Sequence, residues 1–180
     1  MIQSLDTRKF CTTELDKFAE ELQQDGICII RGLFDQRLIE EWADAFNALF
    51  QERQQQPGGL APRGPSRCYL TLPWVAPFAN PTVFANPTIL GVLNRTFSQE
   101  YKLVQLAADI PMQGSDYQEI HRDFRSLFSE QFITPLYAVA VNFPLVEVTS
   151  ENGPFEMARG THAMSREEGL VKIRSGEIPL

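Results

Sequence analysis

A chain of 180 residues with 43% hydrophobic and 22% charged residues has enough apolar side chains for one domain with a substantial core, and it is not typical of a disordered polypeptide. Its formal net charge of -7 disfavours nucleic acid and anionic membrane surfaces as partners, because both attract basic patches. We therefore expect a single domain over residues 1–180 that binds neither.

The first nine residues contain no uninterrupted apolar stretch, so they do not resemble a signal peptide, and the cytoplasm is the expected compartment. Thr13 and Asp16 have the three-residue spacing of a capping box and predict the start of a helix, and Gly26 suits the position just after its last turn. Residues 27–30 are wholly apolar and mostly β-branched, which predicts a buried strand.

Asp35 predicts the N-cap of a second helix. This helix carries an apolar stripe whose expected role is core packing: Leu38, Ile39, Trp42, Phe46, Leu49 and Phe50. Residues 51–65 change to Gln, Pro, Gly and Arg without apolar periodicity, which predicts a mobile loop. Pro87 suits the first residue of a third helix ending near Phe97. Residues 12–97 should therefore form a helical support region with a first buried strand.

After Tyr101 the pattern changes to strands separated by Gly, Pro, Asn and Ser. The predicted strands cover residues 102–112, the segment that reaches His121, residues 136–143 and residues 155–158. Helices first and strands afterwards predict a mostly β or α+β fold with helices on one face. No glycine-rich phosphate loop is present, which disfavours nucleotide-dependent enzymes. Cys11, Cys28 and Cys68 form no C-x-x-C pattern, so we expect reduced, mostly buried thiols.

His121 and Asp123 point most directly to chemistry. In an extended strand, side chains two residues apart leave the same face, so this pair can offer one nitrogen and one oxygen ligand to a divalent metal. These are two of the three ligands of the 2-His-1-carboxylate site in non-haem Fe(II) oxygenases. A surface strand with a structural His–Asp contact would have the same sequence pattern.

The chain has two histidines, so His162 alone remains as a second imidazole for such a site. It lies far downstream on a predicted loop. It could complete the metal site, or it could be solvated or form a hydrogen bond with the backbone, and we favour the second interpretation.

Three blocks of sequence occur in a defined order. They are Gly26 to Phe34, Gln118-x-x-His121-x-Asp123, and Glu151-Asn152-Gly153-Pro154 through Gly160-Thr161-His162. Together they resemble the phytanoyl-CoA dioxygenase family of Fe(II)- and 2-oxoglutarate-dependent oxygenases. The blocks cover most of the chain from residue 13 onward and are jointly far more specific than His-x-Asp alone.

The resemblance implies a double-stranded β-helix, a cupin-like jelly roll, with residues 101–180 forming the first part of its core. It implies that His121 and Asp123 bind Fe(II), with 2-oxoglutarate as co-substrate and with dioxygen used to hydroxylate a small organic or acyl substrate. Polar side chains beside the iron should contact 2-oxoglutarate, and the candidates are Gln105, Gln118 and Asn142. Alternatively, Gln118 faces water, and the other two are buried amides satisfied by backbone.

This sequence also departs from the family pattern. In the family, the distal iron histidine and the arginine that pairs with 2-oxoglutarate follow on later strands, and neither is found before Leu180. Arg166 and Arg174 could replace the arginine, but a solvated position among glutamates is favoured. We therefore expect a jelly roll incomplete at its C-terminal end, a truncated homologue or a fragment, with a sheet edge that a homodimer would cover. The alternative function is a non-catalytic truncated domain that binds a small ligand or a partner subunit.

Overall fold

The computed structural model describes residues 10–98 and 100–180. The first nine residues, interpreted above as lacking a signal peptide, lie outside the described residues. In chain order the elements are α1 (Thr12–Asp25), α2 (Gln36–Gln54), β1 (Ala61–Pro62), β2 (Arg67–Thr71), α3 (Pro81–Phe84), α4 (Pro87–Thr96), β3 (Ala107–Pro111), the 3₁₀ helix η1 (Thr161–Ala163) and α5 (Arg166–Arg174).

Helix α1 ends where the sequence predicts, but its N-cap lies two residues earlier than predicted. Gly26 has φ +76° and its N–H donates to the carbonyl of Leu22 at 3.0 Å, which confirms it as the residue that ends the helix. The N-cap is Cys11, whose backbone N–H donates to the Glu14 carboxylate at 2.9 Å. The predicted cap at Thr13 is wrong because Thr13 already lies inside the helix.

Helix α2 supplies much of the core. Its N-cap Asp35 accepts a hydrogen bond from the Arg37 N–H at 2.8 Å, as predicted. Leu38 and Trp42 are each only 1% exposed and pack in the central cluster. The helix continues to Gln54, so the predicted loop over residues 51–65 is wrong in its first part. Glutamine, glutamate and arginine are good helix formers, so a polar stretch rich in them can be an exposed helix instead of a loop.

The sheet is antiparallel and has the order β1-β2-β3. On β2 the side chains of Cys68 and Leu70 are buried, while Thr71 is exposed, as expected for a strand with one face on the core. The buried cluster beneath it consists of Leu38, Trp42, Leu70, Leu72, Phe78 and Val83. Strand β3 confirms part of the predicted strand over residues 102–112.

Several other predicted strands are not formed in the part of the chain that the structure describes. Residues 27–30, the segment 113–121 that reaches His121, and residues 136–143 and 155–158 are not in strands. Residues 27–30 are not buried either, since Ile29 is 58% exposed. The apolar pattern reports which side chains favour burial, but a strand also needs a neighbour for its backbone hydrogen bonds. The described residues therefore show helices and a small antiparallel sheet, without a complete jelly roll.

Helix α5 was not predicted. Its N-cap Ser165 accepts a hydrogen bond from the Glu168 N–H at 3.1 Å, and this Ser-x-x-Glu spacing is a recognisable sign of a helix start. Helix α4 begins at Pro87 as predicted and packs against α1, where Arg95 and Asp16 form an ion pair at 2.5 Å. Of the helices in the described ranges, none is long and apolar enough to cross a membrane.

Candidate metal centre

The side chains of His121 and Asp123 lie close together on a segment that belongs to no strand. Exposure alternates along residues 121–126: the odd-numbered residues are exposed and the even-numbered residues are half-buried. Nε2 of His121 lies 3.7 Å from Oδ1 of Asp123, and each side chain is 50% exposed. The two side chains therefore lie together, as their spacing predicts, although no strand holds them there.

The backbone sets the tautomer of His121. Its Nδ1 lies 2.7 Å from the carbonyl oxygen of Glu119, and since a carbonyl can only accept, Nδ1 is the nitrogen that carries the proton. In the neutral imidazole, Nε2 then carries the lone pair, and it lies 3.7 Å from Oδ1 of Asp123. Two acceptors that face each other are stabilised by a cation between them.

The donor set fits a first-row divalent metal in part. Metal–ligand bonds are about 2.1 Å long, so Nε2 of His121 and the Asp123 carboxylate, 3.7 Å apart, would be close enough to hold the same ion. An imidazole with its second nitrogen tied to a carbonyl is the usual arrangement for a metal-bound histidine. Within residues 10–98 and 100–180, however, no group of three or more His, Cys, Asp or Glu side chains could hold a metal ion. The pair could therefore supply at most two protein ligands.

His162 has a different role. Its Nε2 donates to the carbonyl of Gln23 at 2.9 Å, near the end of α1, which confirms the interpretation that this histidine bonds the backbone. The imidazole also lies against Gly26, where an added Cβ would be 2.5 Å from Nδ1. His162 is therefore not part of a metal-binding group among the described residues.

The segment around His162 is attached to the end of α1 at two further points. The N–H of Gly160 donates to the carbonyl of Asp25 at 2.8 Å. The guanidinium of Arg159 donates to the Asp25 carboxylate at 2.6 Å. The Gly160-Thr161-His162 block thus connects the end of the chain's long irregular segment to its first helix.

Arg122 is the residue that sequence reasoning missed. Its Nη2 donates to the carbonyls of Thr161 at 2.7 Å and Met164 at 3.0 Å. Burial lowers the pKa of the guanidinium, while Glu130 opposes this shift and Arg166 adds to it. The sequence position of Arg122 could have indicated this role. In an extended chain, the residue between two side chains on one face points to the opposite face.

The three amides proposed for 2-oxoglutarate are all exposed. Gln105 precedes β3, Gln118 lies three residues before His121, and Asn142 precedes the partly buried Phe143. The alternative interpretation of Gln105 and Asn142 as buried amides is therefore wrong, because both side chains are exposed. No hydrogen bond links any of these amides to another residue in the described parts of the chain.

The two arginines considered as replacements lie at the surface. Arg166 is within 3.6 Å of the Glu130 carboxylate, and Arg174 is exposed at the end of α5. These positions agree with the expected solvated face. The cysteines differ from expectation in one case, since Cys68 is buried and Cys28 half-buried but Cys11 is exposed.

The decisive comparison is with family models. A model described as phytanoyl-CoA dioxygenase (PhyH) matches residues 22–177. The chain belongs to the phytanoyl-CoA dioxygenase family. The match includes all three sequence blocks and confirms the resemblance drawn from them. Membership places the chain in a dioxygenase family with a cupin-like jelly-roll fold, of which the described residues show the helices and a small sheet. No solved structure matches the chain.

Proposed function

We propose that this chain is a non-haem Fe(II)- and 2-oxoglutarate-dependent dioxygenase that hydroxylates a small organic or acyl substrate. The observation that carries the proposal is the pairing of His121 and Asp123, with Nε2 of His121 at 3.7 Å from the carboxylate and Nδ1 hydrogen-bonded to the Glu119 carbonyl. When bound, iron with 2-oxoglutarate supplies the activation of dioxygen.

The residues of this chain have separate tasks in the proposal. Asp123 contributes a negative charge and an oxygen ligand, which offsets the charge of the cation. The Glu119 carbonyl keeps the proton on Nδ1 of His121, so that Nε2 remains free to bind the metal. Because both side chains are half exposed, an ion and its other ligands can reach them from solvent.

For 2-oxoglutarate we propose contacts with Gln105, Gln118 and Asn142. Side-chain amides donate hydrogen bonds that suit carboxylate oxygens, and these three are exposed. Gln118 is the strongest candidate because it lies in the same segment as His121. The remaining metal positions would be taken by water, the co-substrate or another segment of polypeptide.

We also propose that a second copy of the chain covers an open sheet edge. Among the described strands, β3 pairs only with β2, so its outer edge has no strand partner. Large apolar side chains nearby are strongly exposed, including Leu103 at 57% and Val104 at 86%. Sedimentation equilibrium should show a dimer at micromolar concentration, and a monomer there would contradict this part of the proposal.

Anaerobic titration with Fe(II) and 2-oxoglutarate tests the main proposal. A weak visible charge-transfer band and succinate formation in air are expected from the wild type. Both should be lost in His121→Ala and Asp123→Ala, whereas His162→Ala should keep the band because His162 bonds the backbone instead. If the wild type binds no iron, the result favours the alternative function, a non-catalytic domain that binds a small ligand or a partner subunit.

A further inference from the structure

The candidate metal ligands lie on a segment with little backbone support. Residues 118–126 belong to no strand in the described structure, so no ladder of hydrogen bonds fixes their direction. The side chains of His121 and Asp123 are both half exposed, so burial alone does not fix their orientation. Something else must hold this segment if the two side chains are to stay on one side.

Arg122 provides such an anchor. It lies between the two candidate ligands, is half-buried on the opposite side, and donates from Nη2 to the carbonyls of Thr161 and Met164 at 2.7 and 3.0 Å. Hydrogen bonds from a charged donor are stronger than those between neutral groups. Because both acceptors are main-chain atoms, the anchor holds one backbone segment to another.

The segment that accepts these bonds is itself attached to a helix. The Gly160 N–H bonds the Asp25 carbonyl at 2.8 Å, and His162 bonds the Gln23 carbonyl at 2.9 Å. The connection therefore runs from α1 through residues 160–164 to Arg122 and then to the ligand pair.

We propose that Arg122 is a positioning residue for the metal centre: its guanidinium fixes the backbone at residues 121–123 so that His121 and Asp123 face a common ion. This inference rests on the proposed function, because it assumes that the pair binds a metal. Removal of the anchor leaves both ligands in the chain but allows them to leave it in different directions. The affinity for metal then falls, because part of the binding free energy is used to order the segment.

The test uses Mn(II) alone, with free ion measured by electron paramagnetic resonance in 0.15 M salt. Arg122→Met keeps the length and apolar part of the side chain but removes the donors. Arg125→Met is the matched control. Arg125 lies on the same segment, and its side chain forms no hydrogen bond or ion pair with another described residue. Arg122→Lys keeps the charge and tests for partial rescue.

Arg122→Met is expected to weaken Mn(II) binding by about 10- to 100-fold, the usual effect of losing a residue that orients metal ligands. Arg125→Met, which makes the same change in charge, should alter it by no more than about twofold in screened solution. Arg122→Lys should fall between the wild type and Arg122→Met. Binding is measured well below the thermal midpoint of each variant, so that loss of folded protein does not mimic weaker binding.

The outcomes separate the inference from the function beneath it. If wild type shows no Mn(II) binding that depends on His121, the proposed function fails and this inference fails with it. If that binding exists and is unchanged in Arg122→Met, or is weakened equally by Arg125→Met, the inference alone is overturned. Should Arg122→Met not fold, Arg122→Gln, which removes the charge and the forked donors, takes its place: weaker binding supports positioning, and unchanged binding overturns it.

Discussion

Gly26→Ala tests the contact between the end of α1 and His162, the second histidine that was considered as a metal ligand. Gly26 has φ +76°, a conformation that side chains with a Cβ rarely adopt. An added Cβ would also lie 2.5 Å from Nδ1 and 2.7 Å from Cγ of His162. The substitution therefore meets a backbone cost and a steric cost at one position.

The two costs can be estimated separately. Holding alanine in the left-handed conformation costs about 1 kcal/mol. The imidazole must also move, which breaks the hydrogen bond between Nε2 of His162 and the Gln23 carbonyl and costs about another 1 kcal/mol. We expect Gly26→Ala to lower the free energy of unfolding by about 2 kcal/mol or slightly more.

A double-mutant cycle with His162→Ala separates these contributions. Urea unfolding of the wild type, both single variants and the double variant can be followed by fluorescence of Trp42, which is 1% exposed when folded. In the His162→Ala background, Gly26→Ala should cost only about 1 kcal/mol, because no ring opposes the new Cβ. The coupling energy between the two positions is then about 1 kcal/mol.

Two results would refute this reasoning. If Gly26→Ala costs the same in both backgrounds, the imidazole does not pack on Gly26. If it leaves stability unchanged, the left-handed end of α1 is not required. His162→Ala should meanwhile retain metal binding that depends on His121, since the structure assigns His162 to the end of the helix.

Four further predictions concern other residues. Asn86→Ala should lower unfolding free energy by about 2 kcal/mol in urea titrations, because this buried side chain caps α4 through two backbone N–H groups. Asp25→Asn should cost only about 0.5 kcal/mol, because its ion pair with Arg159 is exposed, and the difference should shrink in about 1 M NaCl. Iodoacetamide should label Cys11 well before the buried Cys68, as measured by mass spectrometry. Burial raises the pKa of the Cys68 thiol, so the folded state favours the neutral thiol. The contribution of this thiol to stability is complete below the unfolded pKa of about 8.5 and is lost as pH rises through the higher folded pKa. The free energy of unfolding should therefore decline at alkaline pH.

Features that depend on a few neighbouring residues could be predicted from sequence. Asp35 caps α2, Pro87 begins α4 and Gly26 ends α1, because caps, proline and a left-handed glycine act within one helical turn. The two-residue spacing of His121 and Asp123 likewise placed both side chains on one side of an extended chain. The start of α5 was equally local, and its Ser165 cap was overlooked.

Strand formation could not be predicted in the same way. Residues 27–30 and 136–143 have the composition of strands, yet neither forms one in the described structure. A strand exists only when another segment offers matching backbone groups, and the partner is not encoded in the strand's own residues. The short sheet that does form depends on the pairing of β2 with β3, two segments far apart in sequence.

By itself the sequence determined the family, several of the helix ends and the close placement of the two residues proposed to bind a metal, because each depends on residue identity and short spacing. Only the tertiary structure decided that His162 bonds Gln23 and that Arg122 reaches Thr161 and Met164. Those contacts join segments distant in the chain. Their formation depends on how α1 and the region after residue 158 pack together, which no local pattern records.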